Sequence, residues 1–192
     1  MCRRIIEFAL ITFILGCGEN ELFSITIEET AQATIPGSSI GDLTDIIESL
    51  GFDGFSNMDI SESEELQNQG VSAGDISSTN LEKFELTVLS PADGDLSFLS
   101  EITVYVETAE LEPLRIAYSN SFPEGQSTVV FEVDEVDISE YVVQDSMSIT
   151  TEVTGSPPSE DTSIEAHIAL KIGVTSQGAC NAAKSATLDT GI

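Results

Sequence analysis

From Phe23 the chain alternates in polarity. Phe23, Ile25, Ile27, Ala31, Ala33 and Ile35 fall on one side, and Ser24, Thr26, Glu28, Thr30, Gln32 and Thr34 on the other. A period of two predicts a half-buried strand, and Pro36-Gly37 ends it. The period then changes. Leu43, Ile46, Ile47 and Leu50 are spaced i, i+3, i+4, i+7, with Ser39 placed to cap and Gly51 to stop. This predicts one short amphipathic helix. Phe52 to Asn80 reads as a loop-rich stretch in which Ser61-Glu62-Ser63-Glu64 predicts a capping box for a short turn ending near Gly70.

Alternation returns at Leu81. The expected inward sets are Phe84/Leu86/Val88, Ile102/Val104/Val106, Leu114/Ile116/Tyr118, Val129/Phe131/Val133, Met147/Ile149/Thr151/Val153 and the unbroken Ile164/Ala166/Ile168/Leu170/Ile172/Val174. Pro91-Ala92-Asp93-Gly94-Asp95, Phe122-Pro123-Glu124-Gly125 and Gly155-Ser156-Pro157-Pro158 punctuate them. Seven strands with one apolar face each, and a single helix, predict an all-β fold, an antiparallel β-sandwich with one short amphipathic helix. A parallel sheet would need continuous apolar runs and intervening helices. The expected organisation is a leader over 1–16, a tether over 17–22, the sandwich over 23–175 and a loose C-terminal tail over 176–192.

The leader comes from the N-terminal pattern. Arg3 and Arg4 precede an apolar run, Ile5 to Leu15, interrupted only by Glu7 and followed by Gly16-Cys17. A basic end, an apolar centre and a small residue before the cut describe a secretory signal. The run falls well short of the roughly 20 residues of a membrane-spanning helix, and no later segment is long and apolar enough to span. Ile14-Leu15-Gly16-Cys17 resembles a lipobox, the cleavage motif of bacterial lipoprotein precursors. That resemblance, confined to the N-terminal segment, implies cleavage before Cys17, a diacylglycerol on its thiol and often an acylated amine. One acyl chain binds a membrane only marginally, whereas two hold stably. Gly18 after the Cys implies the outer membrane, and Glu19 and Glu21 resemble surface-export signals, so the outward face of the envelope is included in the expectation.

Composition sharpens this picture. Losing Arg3, Arg4 and Glu7 with the leader changes 34 acids and six bases into 33 and four, and the net charge from −28 to −29. Nucleic acid as a partner is disfavoured, because phosphate binding needs a basic face. Such charge suits salty surroundings, where screening removes much of the self-repulsion. Apart from Cys17, the mature chain keeps only Cys180, which excludes an internal disulfide and a clustered-Cys metal site.

Candidate chemistry is sparse. His167, the only histidine, is expected to face outward beside Glu165 and Lys171, exposed and without a role. A Ser/His/Asp triad needs a histidine set between a carboxylate and a nucleophile, and no Gly-x-Ser-x-Gly elbow is present. No phosphate-binding Gly-rich loop precedes a helix, and the chain has no Trp for a glycosidase platform. Weak Ca²⁺ binding is the one metal expectation, since hard cations take loop carboxylates. Its candidates are Asp93 and Asp95, with Glu101 nearby, and Asp134 and Asp137, which lead to Glu140. Neither set is an EF-hand, and Asp-Gly-Asp is also an ordinary tight turn. The expected role is therefore non-enzymatic: binding, adhesion or structural. Two alternatives are a carrier of an apolar ligand in a sheet–helix cavity lined by Phe23, Leu43, Ile46 and Phe52, and a small hydrolase marked by a concave cluster of acids with raised pKa.

Overall fold

The computed structural model describes residues 21–37 and 52–175. The leader, Cys17, the helix expected after Ser39, Cys180 and the C-terminal tail lie outside the described residues. Within them the chain is an antiparallel β-sandwich of two four-stranded sheets. The strands are β1 (Glu21–Ile35), β2 (Ile76–Ser90), β3 (Leu99–Glu107), β4 (Leu114–Ser119), β5 (Thr128–Val130), β6 (Glu132–Val133), β7 (Ser148–Gly155) and β8 (Thr162–Thr175). One sheet runs β1-β8-β2-β5, the other β6-β4-β3-β7. Two single-turn helices accompany them, α1 (Glu64–Gln67) and α2 (Ser139–Val142).

The alternation of β8 explains its central place. Ile164, Ala166, Ile168, Leu170, Ile172 and Val174 are buried on the inner face. Paired on both sides, β8 lies in register with β1 (Ile27 opposite Leu170) and with β2 (Leu86 opposite Ala166). Gly173 faces outward where Ser78 and Glu21 close over the strand, their side chains hydrogen-bonded at 3.1 Å. A Cβ at Gly173 would collide with both.

Three features depart from the simple pattern. First, the run Val129–Val133, expected as one strand, is two. Val130 pairs with Glu85 in the first sheet, whereas Val133 pairs with Ala117 in the second. The chain crosses between sheets at buried Phe131, whose N–H donates to the Phe84 carbonyl and whose ring meets Phe84 edge-on at 4.9 Å. Second, a bulge in β4 brings Arg115 opposite Tyr105 and Ala117 opposite Val104. Ile116 and Ala117 are both buried, and Tyr118, expected inward, stands on the outer face opposite Thr103. Third, β2 begins at Ile76 inside the stretch read as loop, with three register shifts along its pairing with β8.

The two long sides of the sandwich are closed differently. The crossing at Phe131 closes the side between β5 and β6. The other side is covered by residues 52–75, which bury Phe52, Phe55, Ile60, Leu66 and Val71 and bridge to the second sheet where Met58 pairs with Met147. Here the expected capping box is corrected. Ser63 precedes α1 but its side chain makes no cap, while Asp59 accepts the Glu62 N–H at 3.2 Å. The reciprocal box is instead Ser72 with Asp75, whose carboxylate accepts the Ser72 hydroxyl at 2.7 Å and its N–H at 3.1 Å.

Candidate functional site

The register fixes two ends of the molecule. Glu21 pairs with Thr175 at one end and Ile35 with Thr162 at the other. The connections β2–β3 and β7–β8 both lie at the Ile35 end, as do the end of β4 (Ser119 opposite Ile102) and the start of β5 (Thr128 opposite Thr87).

Asp93 and Asp95 are at this Ile35 end. Asp95 accepts the Gly125 N–H at 2.6 Å, the Ser97 hydroxyl at 2.6 Å and the Ser97 N–H at 3.0 Å. These donors, Gly125 first, hold its carboxyl below the usual range. The carboxylate thus ties the β2–β3 loop to the β4–β5 loop. Asp93 is exposed and lines an open groove with Pro91, Phe98, Pro158 and Glu160. Glu101 lies on the outer face of β3, where it accepts the Tyr118 hydroxyl at 3.3 Å.

Asp134 and Asp137 are placed elsewhere. Asp134 takes a two-point contact from Arg115, 2.8 Å to Nε and 3.3 Å to Nη2. Asp137 accepts the N–H groups of Thr79 and Ser139, both at 2.9 Å. Burial opposes its ionisation, but these N–H groups and the Ser139 hydroxyl outweigh burial and hold its carboxyl down. Glu140 is exposed in α2. The two aspartate pairs expected at calcium sites stand in separate places, one in the β2–β3 loop and one after β6. Three of the four aspartates already receive protein donors, and among the described residues no three His, Cys, Asp or Glu side chains group as metal ligands. Asp95 and Asp137 shift downward, opposite to the raised pKa that a carboxylic general acid requires.

His167 lies on the outer face as expected, but it is covered more than expected. Its side chain is only 26 % exposed, with Nε2 3.9 Å from Glu28 and Nδ1 3.5 Å from the Lys83 ammonium. Lys83 also pairs with Glu85 at 3.0 Å, and Lys171 with Glu82 at 3.7 Å. Three of the chain's few basic groups thus stand in one acidic patch on the first sheet. In the expected carrier cavity, Phe52 is buried against Phe55 and Phe23 is half-buried. Leu43 and Ile46 lie outside the described residues.

A groove that the sequence pattern did not indicate opens along the β5–β6 side. It measures about 340 Å³ and is lined by Tyr118, Asn120, Gln126, Thr128, Val130 and Glu132, among others. Its origin is the crossing at Phe131. Where the chain leaves one sheet for the other, Val130 stands 61 % exposed on one wall and Glu132 beside Tyr118 on the other. The β4 bulge turns Tyr118 toward this outer side, as bulges commonly re-aim a side chain. Among the described residues, the side chains of Asn120, Gln126 and Glu132 carry no hydrogen bond or ion pair. The signal that could have located the groove is the residue Phe131 itself, an aromatic between Val129-Val130 and Glu132-Val133, but nothing local distinguishes a crossing from a continuous strand.

The fold defines the class: an acidic, all-β antiparallel sandwich whose loops and grooves are polar. No protein-family model and no curated protein matches this chain.

Proposed function

We propose that the chain is a lipid-anchored protein of the bacterial envelope with a non-enzymatic role in binding, adhesion or structure, and that the anchor is Cys17. The observation that carries the reading is Ile14-Leu15-Gly16-Cys17 closing a short apolar run behind Arg3-Arg4. Placement of β1 agrees with it. The strand begins at Glu21, only a few residues past Cys17, a reach of at most about 14 Å. An anchor at Cys17 keeps the Glu21 end of the sandwich close to the lipid. The β2–β3, β4–β5 and β7–β8 loops then belong to the far end, about 45 Å away along β1 at the rise of an extended strand. The outer membrane, outward face included, is the location this reading favours. Calcium enters it only as a weak counterion at exposed carboxylates such as Asp93.

Detergent phase partitioning of cells expressing the protein tests the reading. The wild-type chain is expected in the detergent phase, and Cys17→Ser in the aqueous phase or as an uncleaved membrane form. A wild-type chain that partitions into the aqueous phase overturns it.

A further inference from the structure

We propose that the groove between β4, β5 and β6 binds a neutral saccharide. The inference goes beyond the envelope reading and does not depend on the lipid anchor. Four observations converge on it.

The groove, about 340 Å³, falls within the roughly 300–1,000 Å³ of small-ligand pockets, as do other grooves of the molecule at about 350–460 Å³, so volume permits a ligand and the lining must select it. The side chains of Asn120, Gln126 and Glu132 are unspent among the described residues, whereas the hydroxyls of Tyr118, Thr128 and Ser119 are already bonded to Glu101, Thr87 and Ser121. Asn120 and Gln126 each offer a carbonyl oxygen and an NH₂ group, and Glu132 offers acceptors. A sugar hydroxyl both donates and accepts, so amides that do the same are its natural complement. Apolar surface is present in the small amount a sugar needs. The half-buried Tyr118 ring, over which the Asp134-paired Arg115 stands at 5.9 Å, and the exposed Val130 can cover the C–H faces of a pyranose, as amphipathic aromatic side chains do where one side is apolar and the other wet. Finally, no Lys, Arg or His lines the groove.

That last point discriminates among ligands. A phosphate, sulfate or carboxylate ligand would meet Glu132 and a chain of net charge −28 without any cation in the groove. A cationic ligand would find more carboxylates in the groove of Asp93 and Glu160 at the β2–β3 loop. An apolar ligand would strip water from Asn120, Gln126, Thr128 and Glu132 without replacing their hydrogen bonds. A neutral polyhydroxylated ligand incurs none of these costs.

The test uses the full chain in detergent micelles and titration calorimetry. Its probes are cellohexaose, xylohexaose, maltohexaose, laminarihexaose and N-acetylchitohexaose, with hexagalacturonate as the anionic comparison. At least one neutral oligosaccharide is expected to bind saturably, with little dependence on NaCl. Gln126→Ala, at an exposed position that leaves folding intact, should weaken that binding at least tenfold. Tyr118→Ala, checked for folding by circular dichroism, should do the same, while Glu160→Gln in the other groove should leave it unchanged. The proposal is overturned if none of the neutral probes binds, if hexagalacturonate alone binds, or if binding survives Gln126→Ala.

Discussion

Leu170 and His167 stand three positions apart on β8 and face opposite sides of the sheet. Leu170 is fully buried, while His167 keeps a quarter of its side chain in solvent beside Glu28 and Lys83. Leu170→Ala is expected to cost about 2–5 kcal/mol through lost burial and the cavity left behind. His167→Ala is expected to stay within about 0.5 kcal/mol, because its contacts with Glu28 at 3.9 Å and Lys83 at 3.5 Å are long and lie outside the core. Denaturant melts of both variants at one salt concentration check this, and a larger loss for His167→Ala would mean that the strand is inverted. A second expectation at this scale concerns Asp95. The Gly125 N–H, the Ser97 hydroxyl and the Ser97 N–H lower its carboxyl pKa in the fold. A carboxyl depressed on folding contributes stability above its unfolded pKa of about 3.9, and that contribution drains as pH falls through the folded value. Asp95→Asn should therefore be less stable than wild type at pH 7, and the gap should narrow below about pH 4. A gap independent of pH would contradict the linkage. Residue by residue, the faces of β1 and β8 were legible because a one-step error inverts every side chain at once. The partners of His167 were not, since Lys83 and Glu28 come from strands distant in sequence.

At the scale of elements, the sandwich was legible and its irregularities were not. Alternation locates a strand without saying which sheet it joins, so Val129–Val133 reads as one strand although Phe131 divides it between two. Nor does alternation reveal a bulge. Leu114, Ile116 and Tyr118 keep perfect spacing in sequence, yet the extra residue in β4 turns Tyr118 outward. Both misreadings fall at the groove, and for that reason the groove was invisible in the sequence. Ile76-Ser77-Ser78-Thr79-Asn80 failed for another reason. Its run of Ser77, Ser78, Thr79 and Asn80 carries no alternating apolar face, and it is held in β2 by pairing with Val174, Gly173, Ile172 and Lys171 of β8. The crossing has its own test. Phe131 is buried between Phe84 and Phe122, whereas the adjacent Val130 is mostly exposed. Phe131→Ala is expected to cost roughly 3–5 kcal/mol, and Val130→Ala to remain within about 0.5 kcal/mol. Equal losses in equilibrium unfolding would contradict a crossing that pins the two sheets at Phe131.

For the molecule as a whole, charge governs how the fold responds to its surroundings. A net charge of −28 makes the compact state repel itself, and added salt screens that repulsion. Melting temperature is expected to rise with NaCl, and CaCl₂ at equal ionic strength to raise it no further, because Asp95, Asp134 and Asp137 already receive protein donors. A calcium-specific rise that Asp93→Asn abolishes would place a true site at the β2–β3 loop. The same charge sets the limits of the envelope account. On the proposed reading, the element that holds so acidic a chain at a membrane surface is the lipid on Cys17, not a face of the sandwich. The mass of the mature N-terminus tests this most directly. The account predicts a first residue Cys17 carrying a thioether-linked diacylglycerol, with or without an acyl group on its amine. An unmodified Cys17, or a chain that begins at any other residue, would contradict it.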